Sequence, residues 1–94
     1  MTILEEAAKV AGGSRQRDYG HPKPNHERIA AIWNVQLGNK LKEPITAREV
    51  ALCMIGVKLA REANIPKRDN LVDIVGYVEC IDKIDIAGEA QILK

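Results

Sequence analysis

From Glu49 to Tyr77 the chain reads EVALCMIGVKLAREANIPKRDNLVDIVGY. Val50, Ala51, Leu52, Cys53, Met54, Ile55, Val57, Leu59 and Ala60 leave almost no polar face, the pattern of a helix covered on all sides. This helix is expected to be the central rod. Its start is marked by a capping box at Thr46–Glu49, with Ile45 and Val50 as the staple that fixes the chain's entry. It is expected to reach about Ala63, where Asn64 caps it and Pro66 forbids continuation. Gly56 in its interior costs about 1 kcal/mol relative to alanine, which points to close helix approach or to room for a ligand. After the break, Asp69 caps a further helix. Its apolar side is Leu71, Ile74, Val75, Val78 and Ile81, its polar stripe is Asp69, Asp73 and Tyr77, and it ends near Ile86 with Gly88 following.

Upstream, Thr2 and Glu5 form another capping box and open a short helix over Ile3–Val10, which Gly12 and Gly13 end. Asn25 is the expected cap of a second helix, because Pro22 and Pro24 discourage an earlier start. Ile29, Ile32, Trp33 and Leu37 recur along it at helical spacing, with Trp33 in the core, and Gly38 is its stop. No stretch alternates apolar and polar residues as a strand does. The expectation is an all-α fold: one domain over 1–94, a compact bundle of about four helices around a long antiparallel hairpin.

Composition narrows this picture. In 94 residues, 46% are hydrophobic and 29% charged, but only 3% are aromatic and there is no Phe, so the core must be aliphatic. A net charge of +1 argues against a protein that coats long nucleic acid. No charged-then-apolar leader opens the chain, and the longest apolar run, Val50 to Val57, is far too short to span a bilayer. A cytoplasmic protein without membrane contact is expected. Cys53 and Cys80 lack metal-ligand spacing and read as reduced thiols. The tail from Glu89, with Ile92 and Leu93, either packs on a partner subunit or frays.

The candidate chemistry lies on the hairpin. Lys58 and Arg61 share one helix face and Asp69 and Asp73 share another, so an antiparallel arrangement sets two cations opposite two carboxylates. Two readings stand. In one, Arg61 pairs with Asp69 and Lys58 with Asp73, and the hairpin is simply tied together. In the other, the four surround a polar pocket in which Lys58 and Arg61 hold phosphate. The irregular stretch Ser14–Pro24, SRQRDYGHPKP, is either a solvated connector or a lid that brings Arg15, Arg17, Tyr19 and His21 over such a pocket, with His26 in the next turn able to meet it. Signatures such as GxSxG, GK[ST] and HExxH are missing, and Cys53 in its apolar run is a poor nucleophile. Cations, carboxylates and Tyr77 together suit a ligand that combines phosphate, sugar and base.

The succession RQRDYG, Asn25, RIAAIW, VALCMIGVKLAR and DNLVDIVGY, covering about Ser14 to Asp82, resembles an uncharacterised family of small helical proteins common in bacteriophage genomes. More distantly, the hairpin is similar to MazG-type all-α nucleotide pyrophosphohydrolases, in which ExxE and ExxD acids bind magnesium. Against that pattern Asn70 and Asp73 stand at the ExxD positions, Asp69 is a stand-in, and Lys58 and Arg61 stand where the ExxE acids belong. Cations there would repel magnesium yet suit phosphate, so the departure favours binding over hydrolysis. The resemblance therefore implies a phage-type homo-oligomer in the host cytoplasm. It would need no cofactor and would sequester a host signalling nucleotide, for example a cyclic dinucleotide or an ADP-ribose derivative. In this reading Lys58 and Arg61 take phosphate, Asp69 and Asp73 take ribose or base donors, and Tyr77 or Tyr19 stacks. One alternative is a magnesium-dependent pyrophosphohydrolase with Asp69, Asp73 and Glu49 or Glu62 as ligands. The other is a protein–protein inhibitor that uses the basic loop.

Overall fold

The computed structural model describes the backbone of residues 1–93, and the side chains of these except 11, 14, 15, 19 and 89–93. All its regular elements are helical, packed as a compact bundle. Helix α1 spans Ile3–Lys9 and opens on the expected capping box: Glu5 N donates to Thr2 Oγ1, and Thr2 N donates back to Glu5 Oε1, each at 3.1 Å. The Thr2 amide, then its hydroxyl, hold the Glu5 carboxyl below its ordinary value.

Gly12 and Gly13 do not stop the chain. The backbone continues through a π-helical turn, Val10–Ser14, into α2, Arg15–Tyr19. Much of the stretch read as irregular is therefore helical, because glycine only weakens a helix unless its backbone leaves the helical region. The break falls at Gly20, whose φ of 80° lies in the left-handed region. Helix α3, Pro22–Leu37, starts ahead of Asn25. His21 is its cap, with Nδ1 accepting from Lys23 N at 3.1 Å, and Pro22 takes the first helical position. Amides in the first turn have no intrahelical partner, so prolines are tolerated there.

A 3-10 turn at Gly38–Lys40 leads towards α4, Ala47–Asn64. Just ahead of α4 the Asn34 side chain grips the backbone of Ile45, accepting from its N–H at 2.7 Å and donating to its carbonyl at 3.1 Å. The second capping box, Thr46 with Glu49, is present as expected. The last helix, α5, runs Arg68–Leu93, starting one residue before Asp69 and passing beyond Ile86.

Helices α4 and α5 form the antiparallel hairpin, and α1, the π turn and α3 also pack on α5. The shared rod is therefore α5, whose Asn70, Val72, Gly76, Tyr77, Cys80 and Ile84 are buried. On α4 only Val50 and Ala51 are. The expectation that α4 is enclosed fails because its outward face is apolar but bare, with Leu52 47% and Leu59 56% exposed. Ala51, Tyr77 and Cys80 make a small core against which Met54, Ile55 and Ile81 pack. Trp33 is only half-buried. Cys53 is exposed and Cys80 is buried. Among the described residues, no helix is long and apolar enough to cross a membrane.

Candidate functional site

The hairpin register decides which groups meet. Starting from its open end, Arg48 pairs with Asp85 at 3.2 Å, Ala51 packs in the core with Tyr77 and Cys80, Lys58 pairs with Asp73 at 2.8 Å, and Glu62 accepts from Asn70 Nδ2 at 3.2 Å. Positions that climb along α4 meet positions that fall along α5, as antiparallel helices in contact require. The Lys58 and Asp73 side chains are 16% and 21% exposed, so this pair is largely withdrawn from solvent. The tying role foreseen for Lys58 and Asp73 is present.

Arg61 does not follow Lys58. Among the described residues it makes no ion pair with Asp69, which is exposed at the start of α5. Arg61 instead lines a depression of about 290 Å³ at the closed end of the hairpin, together with Asn64, Ile65, Lys67 and Asn70. The wall is fixed by the chain itself. Ile65 N donates to the Arg61 carbonyl at 3.0 Å, and Glu62 Oε1 accepts from Lys67 N at 2.8 Å as well as from Asn70. Arg61, Lys67, Asn64 and Asn70 therefore border one concave surface, residue types whose donors suit an oxyanion that carries further polar edges.

The other expected contacts are distributed differently. Tyr77 is 8% exposed, with its ring centroid 6.2 Å from that of buried His26. Packed into the core, it has no face open for a base to stack on, and His26 packs inward beside it. Arg17 is exposed, with its neighbour Asp18 at 3.5 Å. His21 is engaged as the cap of α3. The side chains of Arg15 and Tyr19 lie outside the described residues. Gln16 of α2 accepts from Lys83 of α5 at 3.0 Å. Sequence reasoning missed Asn64, Lys67 and Asn70 as lining groups and Glu62 as their organiser. A signal was available: Glu62 is one turn beyond Lys58, and Asn70 one turn before Asp73.

A magnesium site fits poorly within this chain. Glu49 is held by the α4 capping box, about 20 Å of helix from Glu62 at 1.5 Å per residue. Glu62 is committed to the bend and Asp73 to Lys58. Among the described residues, no three His, Cys, Asp or Glu side chains are grouped to hold a metal ion.

Residues 2–85 match the family described as Domain of unknown function (DUF6378). The chain is 39% identical over 92 residues to the Gene 55 protein of Mycobacterium phage L5, covering 97% of this chain and 57% of that protein. It is 36% identical over 84 residues to the Gene 55 protein of Mycobacterium phage D29, covering 88% and 53% respectively. The chain thus spans about half the length of these relatives. No solved structure matches.

Proposed function

The chain belongs to the DUF6378 family, with relatives encoded by phages, and on that premise we propose that it binds a phosphate-bearing nucleotide at the closed end of the α4–α5 hairpin. One observation carries this reading: Arg61 and Lys67 line the same depression beside the amides of Asn64 and Asn70, while the next cation, Lys58, is already balanced by Asp73. Charge-assisted hydrogen bonds from a guanidinium and an ammonium suit phosphate oxygens, and carboxamides can both donate to and accept from a base or sugar edge. Asp69, exposed and next in sequence to Asn70, is the carboxylate assigned to a ribose hydroxyl. Phosphate recognition moves from the Lys58–Arg61 pair to Arg61 with Lys67, and Lys58 becomes structural. Sequestration of an intact ligand is favoured over turnover, since the carboxylates that a pyrophosphohydrolase would draw on are dispersed or engaged elsewhere.

The test is incubation with a mixed nucleotide pool, then mass spectrometry of what stays bound and what has changed. The expected outcome is one class of nucleotide recovered intact, retained in the presence of chelator and lost in Arg61→Ala and Lys67→Ala. Release of pyrophosphate that depends on magnesium and vanishes in Asp73→Asn would establish the MazG-type hydrolase instead. Neither binding nor turnover would leave the protein–protein inhibitor.

A further inference from the structure

The α4–α5 hairpin has two broad faces, and the rest of the chain covers only one. On the covered side lie Val50 of α4 and Val72 and Gly76 of α5, all buried where α1 and α3 pack. The opposite side presents Leu52, Ile55 and Leu59 from α4 and Leu71, Ile74, Val78 and Ile81 from α5, positions that helical periodicity sets on one surface. Leu52, Leu59, Leu71 and Val78 are exposed, Val78 by 54%, and the three isoleucines are half-buried.

We infer that this face is covered by the same face of a second copy of the chain, two hairpins meeting as a four-helix contact. Its extent is just enough for that occupant. The 18 residues of α4 rise about 27 Å, and with two helices 8–10 Å apart the footprint is on the order of 500 Å². Counted over both partners this is about 1,000 Å², the lower limit for a specific interface, and per copy it is less than the roughly 800 Å² of an ordinary one. Its charge admits the occupant on one condition. Arg48 and Asp85 at the open end already satisfy one another at 3.2 Å, which leaves Asp82, one turn beyond Val78, as the exposed charge that two copies must keep apart. An aliphatic surface of this kind resembles a core cut in half, the character of lasting homodimer interfaces.

The inference is independent of the nucleotide reading and is tested without nucleotide. Sedimentation equilibrium of the full chain over a dilution series is expected to give twice the 10.4 kDa chain mass, falling by half in Leu59→Glu and in Val78→Lys. Val35→Glu, at a position 87% exposed on α3 and away from this face, is expected to keep the doubled mass. Circular dichroism checks that each variant remains helical; should Leu59→Glu lose helicity, Val78→Lys alone decides. A wild-type chain of single mass, or a doubled mass that survives both face substitutions, overturns the proposal.

Discussion

Lys58 and Arg61 stand one turn apart on α4 and have different fates. Lys58 spends its charge on Asp73 inside the hairpin, whereas Arg61, three residues nearer the bend, reaches the rim of the depression. The two substitutions should therefore separate stability from binding. Lys58→Met takes the ion-pair partner from a largely buried carboxylate and is expected to cost about 1–3 kcal/mol in urea denaturation. Arg61→Ala should change stability by no more than about 0.5 kcal/mol, yet weaken phosphate binding by roughly tenfold or more, as loss of a charge-assisted bond implies. Calorimetric titration beside the denaturation curve reads both. The Lys58–Asp73 contact was legible because charges three or four residues apart share a helix face and a hairpin fixes their register. Spacing also offers Glu62 and Asn70, one turn further along each helix, but not the bond by which Glu62 accepts from the Lys67 backbone N–H at the bend, which charge patterning does not reveal.

At the scale of elements, local chemistry was legible and coverage was not. Both capping boxes and the bounds of α4 follow from a few neighbouring residues, Thr2 with Glu5 and Thr46 with Glu49, and the structure has them. Helix α3 begins ahead of Asn25, at Pro22, since the first turn of a helix is where proline fits. The α4 sequence lacks a polar face and so suggests an enclosed helix. A composition of that kind states only that something covers the helix, without saying whether the cover comes from the same chain. The join between α3 and α4 rests on Asn34, whose amide grips Ile45 from both sides. Asn34→Ala removes two part-buried hydrogen bonds at once and is expected to cost about 2 kcal/mol in thermal or urea unfolding. Loss of the Thr46 cap alone should cost about 1 kcal/mol.

The molecule as a whole has a thin interior. Among the described residues the buried hydrophobic side chains include Ala7, Ala30, Val50, Ala51, Val72, Tyr77, Cys80 and Ile84, several of them small, and a chain of 94 residues has limited surface to hide. If the bare hairpin face pairs with a second copy, part of the stabilisation comes from association, and mass action makes it depend on dilution. The melting temperature is accordingly expected to rise with protein concentration in the wild type and to lose that dependence in Val78→Lys. The first helix has a more practical bearing. Arg68, at the start of α5, ties the N-terminal segment to the hairpin, its Nε donating to Glu6 Oε2 and its Nη2 to the Met1 carbonyl, both at 2.9 Å. Any purification handle fused ahead of Met1 therefore emerges beside Arg68 at the start of α5, and if the rim of Arg61 and Lys67 binds phosphate, a run of histidines or acidic residues there competes for the same cations. Affinity measured on such a fusion reports the handle as well as the protein.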